Sequence, residues 1–469
     1  MTKLFRTLLF ICLPLITVCQ TPGYKISVKL NNYTANTVIL GYHFGGKSYI
    51  KDTAIVKNKT AVFYGPDKLD DGVYMIIENE TNNYKDFLID GNDQEFSLDI
   101  DFSAAGSGMA ATGSTANADF SSYLKFLNAK RQELDGITQK QKEPGLSQKE
   151  QNELKYKFNK IDSVVTNYQA QFIKNHPSAL LSLLIKAGLE LTIPTFSGTE
   201  SEVKLKQFYW YKAHYFDNIN LADKRMLHTT VLSEKVNYYI DKLTVQHPDS
   251  IIVSVDEILN RTRTSPETFK FFLIDLLNKY ARSTFVGMDA VYVHIALEYY
   301  NKGAAPWTGK DELEKIIINA QRLEPILIGK KAPDIEMQTL SGDMSRLYNF
   351  EAKGTVLFFW DPECNHCKES AVTIVNIEKK LRSKGLRFFT VCTTITPAAV
   401  TKAKDFVSSY GMESLHNTVD PYIKSNYKKK YDIQTTPQIF VLDSNKYIRS
   451  KRIDADQLEK VIEGLGLLK

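Results

Sequence analysis

The sequence predicts a multidomain protein with an amino-terminal antiparallel β sandwich or barrel, an all-α middle domain and a carboxy-terminal α/β domain. Three observations carry this expectation. Apolar and polar residues alternate with period two in short runs between residues 24 and 100, apolar spacing changes to three and four from residue 117, and from residue 328 strand-like runs alternate with amphipathic helical stretches. The length agrees, since 469 residues make about three domains at roughly 100 to 200 residues each. Hydrophobic residues make up 43%, aromatics 11% and charged residues 24%, which excludes wholesale disorder. A net charge of +5, from 59 Lys and Arg against 54 Asp and Glu, is too small for a nucleic-acid footprint, so no nucleic-acid partner is expected.

The chain opens with a positive stretch, Lys3 and Arg6, followed by an apolar run at 8–18 that Pro14 interrupts and then by Cys19-Gln20-Thr21. The run is too short to span a bilayer and has the order of a secretory signal peptide, so residues 1–19 are assigned to a leader and the periplasm or cell envelope is the expected location. Thr17 and Cys19 are small enough to precede a cleavage site, which starts the mature chain at Gln20. The alternative is lipidation of Cys19, because Ile16-Thr17-Val18-Cys19 loosely resembles a lipobox, although Val18 stands where Gly, Ala or Ser is usual. A membrane partner follows only in that case. Cys12 and Cys19 fall in the leader, leaving Cys364, Cys367 and Cys392, too few for a disulfide scaffold.

In the β-rich domain, residues 20–104, Ile26, Val28 and Leu30 alternate with Lys25, Ser27 and Lys29, the pattern of a strand with one buried face. Similar runs recur at 38–42, 61–64, 73–77, 87–89 and 96–100, punctuated by turn signals such as Asn31-Asn32, Gly45-Gly46 and Asp90-Gly91-Asn92. Residues 103–118, rich in Ala, Gly, Ser and Thr, read as a linker. The helical domain, 117–327, begins with Phe120, Tyr123, Leu124 and Leu127 at helical spacing, and Ser147-Gln148-Lys149-Glu150 is a capping box. Further helices are expected at 179–191, 205–215, 235–243, 266–281 and 290–300, with Trp210 and the many tyrosines as core residues. No heptad persists for four repeats, so a helical spacer or interaction domain is expected rather than a coiled coil. In 328–469, strands are expected at 356–360, 386–392, 438–442 and 447–453, and helices at 368–381, 397–410 and 456–465.

Chemistry concentrates where the first of these strands runs through Asp361-Pro362-Glu363 into Cys364-Asn365-His366-Cys367 at the start of a helix. A helix start supplies free N–H groups and positive potential, which favour thiolate at Cys364. Cys367, three residues on, lies almost one turn away and is placed to resolve a mixed disulfide. A zinc site would need a second pair of ligands, which the sequence lacks, so no metal is expected. Cys392 reads as a buried small hydrophobe, the scattered histidines as structural or surface residues, and Lys428-Lys429-Lys430 as a solvated helix end.

Phe359-Trp360 ahead of the motif, a strand on each side of it, and Thr435-Thr436-Pro437 before a later apolar strand resemble the thioredoxin fold, specifically the TlpA/ResA-type exported thiol–disulfide oxidoreductases, over residues 328–469. Gly329-Lys330-Lys331-Ala332-Pro333-Asp334 matches the opening of that family and of the related peroxiredoxins. The resemblance implies a dithiol enzyme that acts on protein disulfides and is recharged by an unidentified thiol donor, with no dissociable cofactor. It further implies a cis peptide at Pro437 and a substrate groove formed by Pro437, Thr436 and Trp360, with His366 joining Cys364 and Cys367 in the catalytic set. The amino-terminal regions are similar to those of multidomain redox proteins exported by Gram-negative bacteria. There are departures. Phe358 stands where thioredoxins bury an acid, Ser370 where TlpA-type members often have Glu, and Glu363 in place of the usual Trp. Asn365-His366 resembles the strongly oxidising members, and Glu363 opposes it electrostatically, so an intermediate potential is expected. Two other readings stay open: a thiol peroxidase, for which Leu357 and Asp361 stand where Pro and Thr or Ser are required, and a binding or assembly protein carrying a peripheral thioredoxin-like domain.

Overall fold

The computed structural model describes residues 23–468 except 80, 82, 104–107 and 397; the assigned leader, with Cys12, Cys19 and the expected start at Gln20, lies outside the described residues. Contacts divide the chain into two units, 1–238 and 239–469.

In the first unit the strands are β1 (Tyr24–Asn31), β2 (Thr37–Phe44), β3 (Lys47–Ile55), β4 (Thr60–Gly65), β5 (Gly72–Glu78), β6 (Tyr84–Ile89), β7 (Glu95–Asp101) and β8 (Met109–Thr112). They form two sheets, ordered β4-β1-β7-β8 and β3-β2-β5-β6. Ile26, Val28 and Leu30 are fully buried, as the alternation requires, and the ring of Phe87 from one sheet meets Phe96 from the other with centroids 5.9 Å apart. Pairing differs from the antiparallel expectation at one place. β1 and β7 are parallel, because the chain leaves this sheet for the other between them and returns in the same direction. β3 went unread because it is exposed along almost its whole length and has no period-two apolar pattern. The expected linker also contains a strand, since Met109–Thr112 pairs with β7, its small Ala110 and Ala111 offering little apolar signal.

Two long helices follow, α1 (Thr115–Gln141) and α2 (Gln148–Asn175), with a small core of Ile137, Leu154 and Ile161. Buried Asn117 on α1 holds the free edge of β6, donating to the Leu88 carbonyl and accepting from its N–H, both at 2.7 Å. Ser147 and Glu150 form the reciprocal cap at the start of α2. Next come α3 (Leu180–Gly188), α4 (Glu200–His214) and α5 (Val231–Asp241). Trp210, expected in the core, is only half-buried on α4 and stacks on His214 one turn away, centroids 4.3 Å apart.

The second unit holds α6 (Pro248–Thr262), α7 (Pro266–Ala281), α8 (Asp289–Ile295) and α9 (Lys310–Leu323), with a π-helical turn at Ala296–Tyr300 continuing α8. Proline in the first turn starts both α6 and α7, where a missing N–H costs nothing. Beyond them the chain forms β9 (Glu336–Thr339), β10 (Met344–Arg346), β11 (Gly354–Trp360), α10 (Asn365–Leu381), β12 (Leu386–Cys392), α11 (Ala399–Tyr410), β13 (His416–Val419), α12 (Tyr427–Lys430), β14 (Gln438–Asp443), β15 (Ile448–Lys451) and α13 (Ala455–Leu465). One sheet joins the strands in the order β10-β9-β13-β12-β11-β14-β15. β11, β12 and β13 are parallel, whereas β14 is antiparallel to β11.

All of β11 is buried, which explains its continuous apolar run. Val356, Phe358 and Trp360 pack with residues of α10, α11 and α13, while Leu357 and Phe359 face a second core that contains Tyr427, Tyr431 and Ile326. Ile326 lies before the boundary expected at 327. That position marks where helices give way to strands, and Leu323 and Ile326 just before it supply part of the sheet's core. Lys451 on β15 strengthens the link. Its side chain is 2% exposed and pairs with Asp289 in the first turn of α8. Removing Asp289 would strand a buried cation. Asp289→Ala should therefore destabilise the second unit by about 3 kcal/mol in urea unfolding, and Lys451→Met in the same background should restore most of it. An Asp289→Ala transition superimposable on the parent's would contradict this.

Candidate active site

Parallel β11, β12 and β13 end along one edge of the sheet, and the antiparallel β14 begins there, its Gln438 opposite Phe359. Four segments meet at this edge: 361–364, 393–396, 420–426 and 435–437. The ends of parallel strands are where an α/β sheet offers a cleft.

Asp361 organises the first segment. Its carboxylate accepts from the Glu363 N–H at 2.9 Å and from the hydroxyls of Thr393 and Thr394 at 3.3 Å, while its carbonyl accepts from Cys364 N–H at 3.1 Å. The turn delivers Cys364 to the N-cap of α10. Its sulfur accepts the Cys367 N–H at 3.3 Å, and as a thiol it donates to the Thr436 carbonyl at 3.4 Å. A thiolate loses the second bond and keeps the first, in the positive field of the helix start. Cys364 is half-buried; Cys367 and Cys392 are fully buried, and all three are free thiols.

Burial pushes the Cys367 thiol up to about 12, with the hydrogen bond and charge of Cys364 acting in the same direction; the Asp361 N–H and the Thr436 hydroxyl pull the other way. Cys367 is thus held as a proton-bearing thiol against Cys364. Burial likewise raises Cys392 to about 11.

Two flanking side chains turn outward. The His366 side chain is 83% exposed, with Nδ1 3.5 Å from Glu369 one turn on, rather than set as the partner of Cys364 that the sequence led us to expect. Glu363 pairs with Lys402 on α11 and raises the Lys402 pKa. The charge of Glu363 is thus engaged by Lys402, and the exposed His366 ring lies toward Glu369.

Of the expected groove residues, Thr436 and Pro437 are half-buried at the edge and joined by a cis peptide bond. Trp360 is not at the surface. It is fully buried and stacked on Phe406 with centroids 4.5 Å apart, because as the last residue of β11 it takes its turn toward α10 and α11. Sequence reasoning missed Asp361, Thr393, Thr394 and Lys402; the one available signal was that Thr393-Thr394 follows a strand running parallel to the motif's own. Among the described residues no three His, Cys, Asp or Glu converge as a metal cluster, and no helix is long and apolar enough to cross a membrane.

A half-exposed cysteine on a helix cap above a buried partner thiol defines a dithiol redox centre on an α/β sheet. Residues 328–451 match the AhpC/TSA family, and residues 24–120 and 145–323 match two domains of unknown function, DUF4369 and DUF5106. The thiol-disulfide oxidoreductase ResA of Bacillus thuringiensis (strain Al Hakam) is 26% identical over 144 residues, 30% of this chain and 78% of the relative. Thioredoxin-like protein YneN of Bacillus subtilis (strain 168) is 25% identical over 139 residues, 30% of this chain and 79% of the relative. A solved domain of a possible thiol-disulfide isomerase from Cytophaga hutchinsonii is 32% identical, covering 30% of this chain and 93% of that domain, with a TM-score of 0.28. The carboxy-terminal part of the chain thus carries an AhpC/TSA-family domain and is similar to thioredoxin-like thiol–disulfide oxidoreductases.

Two outcomes follow from this geometry. Iodoacetamide should label Cys364 of the folded, reduced protein first, with Cys367 and Cys392 unreactive from about pH 6 to about pH 9 until the chain is unfolded, as peptide mapping would show; preferential labelling of Cys367 would reverse the roles. Lys402→Ala should release the charge of Glu363 toward the thiol and slow labelling of Cys364 about two- to fivefold at low salt, and Glu363→Gln in that background should restore it. Equal rates in all three proteins would show that these charges do not reach the sulfur.

Proposed function

We propose that this protein is an exported thiol–disulfide oxidoreductase that reduces or rearranges disulfides in protein substrates through Cys364 and Cys367. The observation that carries the reading is the asymmetry of the pair, one sulfur half-exposed on a helix cap and the other buried with its thiol pushed up to about 12. The Cys364 thiolate attacks one sulfur of a substrate disulfide. The substrate S–S bond breaks, a mixed disulfide forms, and the departing substrate thiolate takes up a proton. Cys367 then gives up its proton and attacks the Cys364 sulfur, releasing the second substrate thiolate. The substrate gains two electrons and two protons, and the enzyme is left with a Cys364–Cys367 disulfide that a thiol donor must reduce.

The dithiol carries the electrons, so no dissociable cofactor is needed. Thr436 and Pro437 flank the reacting sulfur and are suited to the substrate backbone, while Trp360 supports the strand from within. The charged and apolar order of residues 1–19 supports export to the periplasm or cell envelope, with lipidation at Cys19 as the alternative to cleavage. A peroxidase reading has less support, since Leu357 is a buried strand residue and Asp361 is occupied with Thr393 and Thr394.

The full-length chain with dithiothreitol as donor should catalyse insulin reduction, Cys364→Ser should abolish it, and hydrogen peroxide consumption should stay at the uncatalysed rate. Insulin reduction unaffected by Cys364→Ser would overturn the proposal, and peroxide turnover at the rate of insulin reduction would favour the peroxidase.

A further inference from the structure

The segment after β13 reaches the same sheet edge as Cys364, and it carries two large apolar side chains in the open: Tyr422 is 74% exposed and Ile423 57%. This tip is rigid. Ile423 N–H donates to the Asp420 carbonyl at 3.2 Å, and the buried Asp420 carboxylate accepts from the N–H groups of Lys424 at 2.9 Å and Ser425 at 2.8 Å. The segment is also tied to the active-site turn. Tyr427 N–H donates to the Ser425 hydroxyl at 3.3 Å, and its own hydroxyl donates to the carbonyl of Thr393, whose side chain holds Asp361.

Ile423 has φ +57°, a left-handed conformation that a β-branched residue adopts only under strain. Strain of this kind persists where the surroundings enforce it, and such places cluster at ligand contacts. The ammonium of Lys424 lies 5.6 Å from the centre of the Tyr422 ring. The turn thus holds an apolar tip in water at the edge where the substrate of Cys364 must lie.

We propose that Tyr422 and Ile423 are a docking point for polypeptide substrates, receiving an apolar or aromatic residue about three positions from the substrate's disulfide cysteine. This rests on the dithiol function proposed above. The spacing follows from the sheet. β13 is two strands from β11, about 10 Å at roughly 4.8 Å per strand, and an extended chain covers that distance in about three residues of roughly 3.3 Å each. A substrate bonded to Cys364 and lying across the strand ends would pass over the tip, whereas a small disulfide would not reach it.

The test uses the full-length chain with Tyr422→Ser, Ile423→Gly and the double variant, glycine being at ease at this φ. Reduction of insulin is compared with reduction of oxidised glutathione. KM for insulin should rise about tenfold in the double variant, the effect of losing a principal apolar contact, with glutathione disulfide reduction within about twofold of the parent. An unchanged KM for insulin would overturn the proposal, and so would equal losses on both substrates, which would make the segment a support for the dithiol itself. Failure of the parent chain to reduce either disulfide would instead sink the dithiol function, and the docking point with it.

Discussion

Cys364 caps the helix that carries Cys367, so a single N–H···S contact of 3.3 Å joins the start of α10, the nucleophile and its partner. The buried strand β11 aims that contact. Because both faces of the strand are covered, its last residue has one place to go, and the turn that follows is drawn to the strand end by the Asp361 carboxylate and the hydroxyls of Thr393 and Thr394. The result is a fixed helix start at which one sulfur meets solvent and the other does not.

Electrostatics then separates two chemically identical side chains. Cys367, in the core among Trp360, Ala371 and Ile374, pays the desolvation penalty of any buried ion, and a neighbouring sulfur adds to it. Cys364 has a backbone donor and a helix dipole on its side. Neither effect requires the exposed histidine in the motif, whose ring lies outward against Glu369, and Glu363 is similarly engaged by Lys402.

The legible parts of the sequence were those in which local pattern and tertiary role coincide. The apolar run at 356–360 reads as a buried strand because it is one, and Cys-Asn-His-Cys reads as a helix start because the dithiol needs that position. β3 and β13 were missed for opposite reasons, the first being exposed almost throughout and the second only four residues long with a buried asparagine in place of an apolar residue. Asp361 and its threonine partners are more than thirty residues apart, so no local signal joins them. Trp360 was expected at the groove by resemblance, yet the pleat of β11 turns it into the core. The contribution of the preceding helices is likewise non-local, since Ile326 and Asp289 act on the sheet through contacts with residues far along the chain.

The two sulfurs divide the labour of disulfide exchange, and trapping tests that division most directly. A Cys367→Ala chain exposed to a disulfide-bearing protein and quenched with acid should accumulate a covalent adduct, which peptide mapping by mass spectrometry should place on Cys364 and which dithiothreitol should release. Adducts on Cys392, or equal trapping by a Cys364→Ala chain, would contradict it.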